Sequence, residues 1–278
     1  MSIIRRIPWG IHKPPLGVRH NPSHPLSYGL AGHWLMNESA GLTAYDLSGN
    51  RNHGTLTNGP TWTRGQFGPA LSFDATDDYV DAGTGTSLDG LGPVTFSAWI
   101  KSAGAGELGL GVIVTKDTTG AAGRVGFVHD DTAPEVMALT LFKGAGATSL
   151  SRGSADNVIV VGTWQHVVCT WDGTNDNTKI RFYVNGTETA YGVGVNGTSL
   201  ASDAGLPLVI GNRTDASRTF NGLIDDVRVY KRVLLVQEIQ QLYLNPFVDI
   251  QPIRRVIGKA VTAAADSTEF FPRRRAGG

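Results

Sequence analysis

The sequence predicts an all-β chain, a sandwich or a barrel, flanked by two basic terminal arms. Three observations lead there. From residue 30 to residue 230, short β-branched and aromatic runs alternate with turns of Gly, Asn, Asp and Thr. No βαβ spacing interrupts them, and a single segment carries a helical period. Composition agrees: of 278 residues, 41% are hydrophobic and 17% charged, with 36 Gly and 13 Pro. That is enough apolar mass for a core, and it excludes wholesale disorder, coiled coil and collagen.

Strands are expected at 30–36, 70–74, 79–81, 94–101, 112–116, 124–128, 136–142, 164–171, 179–184, 208–210 and 220–230. Within 163–172, Gln165, Val167, Cys169 and Trp171 point one way while His166, Val168 and Thr170 point the other. Apolar residues on both faces predict a central strand covered on both sides, with Cys169 a small core residue. The helix is expected over 234–244, where Leu235, Ile239 and Leu242 fall at i, i+4 and i+7, with a stop before Asn245 and Pro246. Residues 104–109 match G-x-G-x-x-G but open no helix in a βαβ unit, so they predict a hairpin tip and not a dinucleotide site.

The net charge of zero hides a partition. Residues 1–28 hold Arg5, Arg6, Lys13 and Arg19 and no acid, a charge of +4; residues 246–278 hold six basic and three acidic residues, +3; the middle therefore carries −7. The same two segments contain eight of the 13 prolines. The expected organisation is a basic arm over 1–28, a β domain over 29–245 and a second basic arm over 246–278, with the domain folding without either arm. Arg5, Arg6, Trp9, Lys13, Arg19, Arg254, Arg255, Arg273, Arg274 and Arg275 are the expected interface residues. Arginine pairs in a fork with carboxylates, so the expected partner is another protein or the acidic middle of a second copy. Nucleic acid is disfavoured, because each arm makes few phosphate contacts and no recognition motif accompanies it. No apolar run approaches the roughly 20 residues of a membrane helix, and prolines interrupt the N-terminal stretch where a secretion signal needs an apolar run. One cysteine excludes an internal disulfide.

Seven motifs occur in order: GLAGHWLMNESAG, DLSGNRNHGTLTNGPTW, GQFGPALSFDATDDYVDAG, VTFSAWIK, GTWQHVVCTWDG, IRFYVNGTE and FNGLIDDVRVYKRVLLVQEIQQLY. Over residues 29–245 this order resembles the laminin-G-like, concanavalin A-like jelly roll. The resemblance implies a jelly-roll sandwich with one short C-terminal helix. One departure is Leu234–Leu235 where the family has a Ser, so the helix lacks its usual N-cap and must rest on docking. The segment HKPPLGVRHNPSHPLSYGLAGHWLMNE is similar to the N-terminal region of phage and prophage proteins carrying this domain. That implies a non-enzymatic structural or decoration protein of a phage-like virion, anchored by its arms on other virion proteins or on copies of itself. The alternative is a carbohydrate-binding adhesion module, with a glycoside hydrolase a more distant third.

Asp46, Ser48, Asn50 and Asn52 place side-chain oxygens at every second residue, a spacing that can wrap Ca²⁺. Thr57 stands where an EF-hand needs its bidentate Glu. The resemblance implies a structural Ca²⁺ near this loop with the acids of the final strand, Asp225 and Asp226; strand alternation predicts that these face opposite ways. The competing use of Asp, Ser and Asn here is turn hydrogen bonding. Asp77–Asp78 and Asp130–Asp131 are expected to be solvated loop ends. Trp62, between Pro60 and a Gly-rich turn, is the expected ligand contact, whereas Trp99, Trp164 and Trp171 sit in core patterns. No strand carries paired acids with period-2 spacing, and there is no G-x-S-x-G elbow, so catalysis is not expected. His166 is expected to hydrogen bond structurally, and His12, His20 and His24 to pack rather than bind zinc.

Overall fold

The computed structural model describes residues 12–117, 124–131, 138–144, 149–198 and 201–251. All but two of the described strands pair antiparallel into two large sheets. One sheet has nine strands in the order Tyr191–Val195, Leu150–Ser154, Ala138–Lys143, Val125–Asp130, Leu110–Lys116, Leu208–Ile210, Tyr79–Asp81, Gly54–Thr57 and Thr43–Ala44. The other runs Thr187–Glu188, Arg181–Val184, Gln165–Asp172, Pro93–Ser102, Asn221–Tyr230, Pro69–Asp74 and Thr61–Arg64. An eighth strand, Leu30–Trp34, shares one side of Asn221–Tyr230 with Pro69–Asp74: the former pairs along residues 227–230, the latter along 221–224. The last long strand of the chain thus lies in the middle of its sheet. All eleven expected strands correspond to strands in the structure; the short Thr43–Ala44, Gly54–Thr57, Thr61–Arg64, Leu150–Ser154, Thr187–Glu188 and Tyr191–Val195 were not anticipated. Residues 104–109 do not tip a hairpin; they carry the chain from Pro93–Ser102 in one sheet to Leu110–Lys116 in the other. Gly106 is needed there, because a Cβ would come within 2.4 Å of the Gly111 backbone.

The alternation in Gln165–Asp172 sorts its side chains into two clusters. Val167, Cys169 and Trp171 enter the core between the sheets, with Trp34, Phe96, Phe127, Phe182 and Phe220. Val168 points outward into a second cluster with Leu26, Tyr183, Tyr230, Leu234, Ile239 and Leu242. Each such side chain contributes about 1.5–3 kcal/mol by leaving water. Burial pushes the Cys169 thiol well above its ordinary range, leaving it inert.

The helix covering this outer face spans Val236–Leu244. Its buried residues are Ile239 and Leu242, with Leu234 ahead of them, whereas Leu235 is the N-cap and is exposed. Its hydrocarbon side chain accepts nothing, but the Glu238 carboxylate accepts the Leu235 N–H at 2.8 Å and grips Arg232 through two 2.7 Å contacts. One orphan donor of the helix end is satisfied from inside the helix.

The packed unit extends past 29–245 at both ends. Arg19–His20 pairs with Ile250–Gln251 in a two-stranded ribbon, and Val18, Leu35, Phe247 and Ile250 form a third buried cluster. The proline-rich inner parts of the two arms are therefore built into the outer layer of the eight-stranded sheet. Residues 1–11 and 252–278 lie outside the described residues, and with them Arg5, Arg6, Trp9, Arg254, Arg255, Arg273, Arg274 and Arg275.

Candidate functional site

Three places gather chemistry-bearing side chains, and the first lies beneath the terminal segments. Asn221–Tyr230 carries a β-bulge between Asp225 and Arg228, with Asp226 at φ 44°. The bulge overrides simple alternation, so both carboxylates meet the covering layer instead of facing opposite ways. Asp225 pairs with Lys13, whose ammonium also donates to the Met36 and Pro69 carbonyls. Lys13 is thus buried inside the molecule and is not a free interface residue; Arg19 keeps an exposed side chain while its backbone pairs with Gln251. Asp226 lies 2.6 Å from His33 Nε2 and 3.2 Å from Arg228. Arg228, with no exposed surface, also donates to Asp249 at 2.9 Å and to the Pro246 carbonyl. His20 completes the chain, 2.7 Å from His33 and 2.9 Å from Asp249. Burial, then the positive Arg228, lowers the His33 pKa to about 4. Burial opposes ionisation of Asp226 and Asp249, but Arg228 together with His33 at the first and His20 at the second outweighs it and holds both carboxyls well below their usual range. These groups hold one another, and the cluster is structural.

The second place is the loop after Leu30–Trp34. Asp46 Oδ1 accepts the His33 and Ser48 N–H groups at 2.9 and 2.8 Å; Oδ2 accepts the Ser48 hydroxyl at 2.8 Å and the Asn52 N–H at 2.9 Å. Asn50 and Asn52 turn their amide nitrogens to the Ala31 carbonyl, both at 3.0 Å. A carboxylate with four donors on its lone pairs, beside amides presenting N–H₂, does not fit a calcium ion. Neither Asp225 nor Asp226 joins these residues, being engaged by Lys13 and by His33 with Arg228. The geometry fits the turn use of this loop. Elsewhere, Asp78 and Asp130 are buried rather than solvated. Asp74, which the sequence reading passed over, brings a carboxylate oxygen within 4.8 Å of Asp77 and Asp78. Burial, with Asp74 alongside, raises the Asp78 carboxyl to about 6.

The aromatic and histidine expectations divide. Trp99 and Trp171 are buried, Trp171 between the sheets and Trp99 on the outer face against Phe67 and Tyr243; Trp164 is half-buried. His166 is fully enclosed and 2.9 Å from the Ser97 hydroxyl. His24 caps the turn Pro25–Ser27 by accepting the Leu26 N–H.

The third place is a pocket of about 300 Å³ lined by Ser39, Trp62, Thr63, Arg64, Gly68 and Pro69. It forms at the edge of the eight-stranded sheet. Thr61–Arg64 is the last strand there, paired on one side only with Pro69–Asp74. Trp62 stands opposite Leu71, a core residue, packs partly on that core and donates its indole N–H to the Gly41 carbonyl at 2.8 Å. Arg64, two residues on, shares its face of the strand. Ser39 holds a left-handed φ of 63° at the rim, a conformation that costs a non-glycine residue and recurs at binding sites. Of the residues singled out from sequence, only Trp62 belongs here. Arg64 was missed, although the alternation Thr-Trp-Thr-Arg signals that it accompanies Trp62.

Comparison with known proteins supports the fold. The Laminin_G_3 family model, described as the Concanavalin A-like lectin/glucanases superfamily, matches residues 74–240, more than half of the chain. A segment of 105 residues is 32% identical to the zebrafish (Danio rerio) Adhesion G-protein coupled receptor V1, covering 37% of this chain and 2% of that receptor. Domain 4 of AbnA, a GH43 extracellular arabinanase from Geobacillus stearothermophilus solved with arabinotriose, superposes with a TM-score of 0.57 at 19% identity, over 77% of this chain and 98% of that one. The binding domain of Paraclostridial Mosquitocidal Protein 1 gives 0.59 at 15% identity over 80% and 53%. The sialidase of Trypanosoma rangeli gives 0.56 at 17% over 78% and 33%. At these identities the solved structures speak to architecture alone, and they share the sandwich derived above. By its family match, its motif order and its two-sheet fold, the chain belongs to the Concanavalin A-like lectin/glucanases superfamily.

Proposed function

We propose that this chain is a carbohydrate-binding module that takes a saccharide in the pocket beside Trp62. The observation that carries the reading is the make-up of that pocket: Trp62 and Arg64 on one strand face, with Ser39, Thr63, Gly68 and Pro69 completing the lining, around about 300 Å³ on an exposed sheet edge. Its volume is at the small end of ligand sites, which run from roughly 300 to 1,000 Å³. A sugar offers an apolar C–H face ringed by hydroxyls, and an indole beside polar donors matches both. The similar domain of the arabinanase, solved with arabinotriose, supports the reading. The reading is binding and not turnover, because no carboxylate lines the pocket to serve as the acid or base of glycoside hydrolysis.

Isothermal titration of the full chain with arabinotriose and other neutral oligosaccharides tests it. Binding is expected for the native chain, loss for Trp62→Ala, and retention for Trp62→Phe. Absence of binding across a glycan panel, or binding untouched by Trp62→Ala, refutes it. A second reading, attachment of the domain to a larger assembly such as a phage-type particle, is favoured by one observation. The Arg19–His20 and Ile250–Gln251 pairing joins the described inner parts of the two terminal segments. Recovery of the protein at fixed stoichiometry in a large particle on a density gradient tests that reading.

A further inference from the structure

Building on the carbohydrate reading, we propose that Arg64 makes the Trp62 pocket selective for acidic saccharides, sugars whose ring carries a carboxylate. Among the described residues most arginines are engaged. Arg181 grips Glu188, Arg213 grips Asp117, Arg228 grips Asp226 and Asp249, and Arg232 grips Glu238. Arg124, Arg152 and Arg218 donate to backbone carbonyls. Among the described residues the Arg64 side chain has no hydrogen-bond or ion-pair partner; it is exposed and lines a pocket. A planar guanidinium with all its donors free is the side chain best shaped to take a carboxylate through two parallel hydrogen bonds.

The surroundings leave that charge uncompensated. None of the other lining residues, Ser39, Trp62, Thr63, Gly68 and Pro69, is acidic. Two further charged groups stand close behind the wall. The Lys13 stem lies against Gly68, where a Cβ would meet its Cδ at 3.3 Å, but its ammonium is turned inward onto Asp225 and the Met36 and Pro69 carbonyls, away from the pocket. Glu38, next to Ser39, gives one carboxylate oxygen to the Tyr45 N–H and is not among the lining residues. Trp62 and Arg64 sit two residues apart on one strand face, about 7 Å along the chain. A sugar ring seated at the indole therefore brings a ring carboxylate within reach of the guanidinium.

The test uses the full chain and two probes that share one sugar backbone and differ in charge, trigalacturonic acid and its fully methyl-esterified form, with arabinotriose as a neutral reference. Titration is expected to give at least a tenfold tighter Kd for the acid at low ionic strength, with the ratio shrinking as salt screens the exposed pair. Arg64→Gln is expected to bring the acid-to-ester affinity ratio to about one, and Arg64→Lys to restore part of the ratio. Because Arg64 is exposed and unbonded, an unchanged Tm in both variants confirms that the fold is intact. Equal affinities for acid and ester, or a preference that survives Arg64→Gln, overturn the acidic-sugar inference and leave the carbohydrate reading standing. Binding of arabinotriose without binding of the acid has the same meaning. Failure of all three probes and of the wider glycan panel overturns both.

Discussion

Replacing Asp249 with Ala is predicted to cost far more than its place in a proline-rich terminal segment suggests. Its carboxylate lies 2.9 Å from Arg228 and 2.9 Å from His20, and neither it nor Arg228 has exposed surface. Removing one partner of a buried pair strands the other charge, at about 3–5 kcal/mol. Arg228 keeps Asp226 and the Pro246 carbonyl, which places the expectation toward the lower figure. For a domain of this size each kcal/mol moves Tm by about 2–4 °C, so a fall of roughly 6–20 °C is expected. Equilibrium urea unfolding and calorimetry read it directly, and 0.5 M salt should not erase it, since a buried pair is poorly screened. Phe247→Ala, in the neighbouring buried cluster, is worth about 3–5 kcal/mol by itself. Truncation after Asn245 removes both groups together, and the two losses rival the whole stability of a typical domain, about 5–15 kcal/mol. A loss below about 1 kcal/mol in Asp249→Ala, or a fragment of residues 29–245 melting like the full chain, would falsify the view that the terminal segments complete the fold.

Further outcomes follow from the same geometry. Asp46→Ala, which removes the acceptor of four hydrogen bonds, should lower stability by about 2–4 kcal/mol, equally in Ca²⁺ and in chelator. A calcium-dependent rise in Tm that disappears in this variant would restore a metal to the loop. Between pH 6.5 and 4 opposed contributions meet. Burial lowers the His33 pKa to about 4 and the His166 pKa to about 3 from an unfolded value near 6.5, which costs stability on acidification. Burial also raises Asp225 to about 7 and Asp78 to about 6 from 3.8, which adds it. The His33 share is therefore read as the stability difference between the native chain and His33→Gln, which should fall as pH drops. A folded pKa below the unfolded one stabilises fully above the unfolded value and is lost on the way down. His33 alone accounts for about 3 kcal/mol over that window. The depressed Asp226 and Asp249 add their own loss only below the usual carboxylate range. A difference between the native chain and His33→Gln that stays constant from pH 7 to 4 contradicts this account. Glu238→Ala should cost about 1 kcal/mol through the lost Leu235 cap, with the partly exposed Arg232 pair adding little; unfolding of the helix by circular dichroism checks it.

The alternation of apolar and polar residues determined the all-β class, the central place of Gln165–Asp172 and the core position of Cys169. That information is local, because a strand's period of two fixes which side chains share a face. The ordered motifs then narrowed sandwich or barrel to a jelly roll, and the family match agrees. The helix was legible as an apolar stripe, but its first turn was not. Leu235 looked like part of the stripe, and only docking of Leu234, Ile239 and Leu242 shows it standing free as the N-cap.

What sequence did not carry was long-range pairing. Nothing near Lys13 announces that its ammonium belongs to Asp225, 212 residues away, or near Asp249 that it belongs to Arg228. Charge counting therefore assigned both terminal segments to docking. The bulge at Asp226 turned two carboxylates toward one layer where strand periodicity had separated them. The pocket shows the same division. Trp62 stood out as an aromatic among turn residues, but the worth of Arg64 depends on which side chains leave it unpaired, and that is decided by the packing of the whole sheet edge. Period and composition act within a few residues, whereas burial and charge partnership are properties of the folded chain.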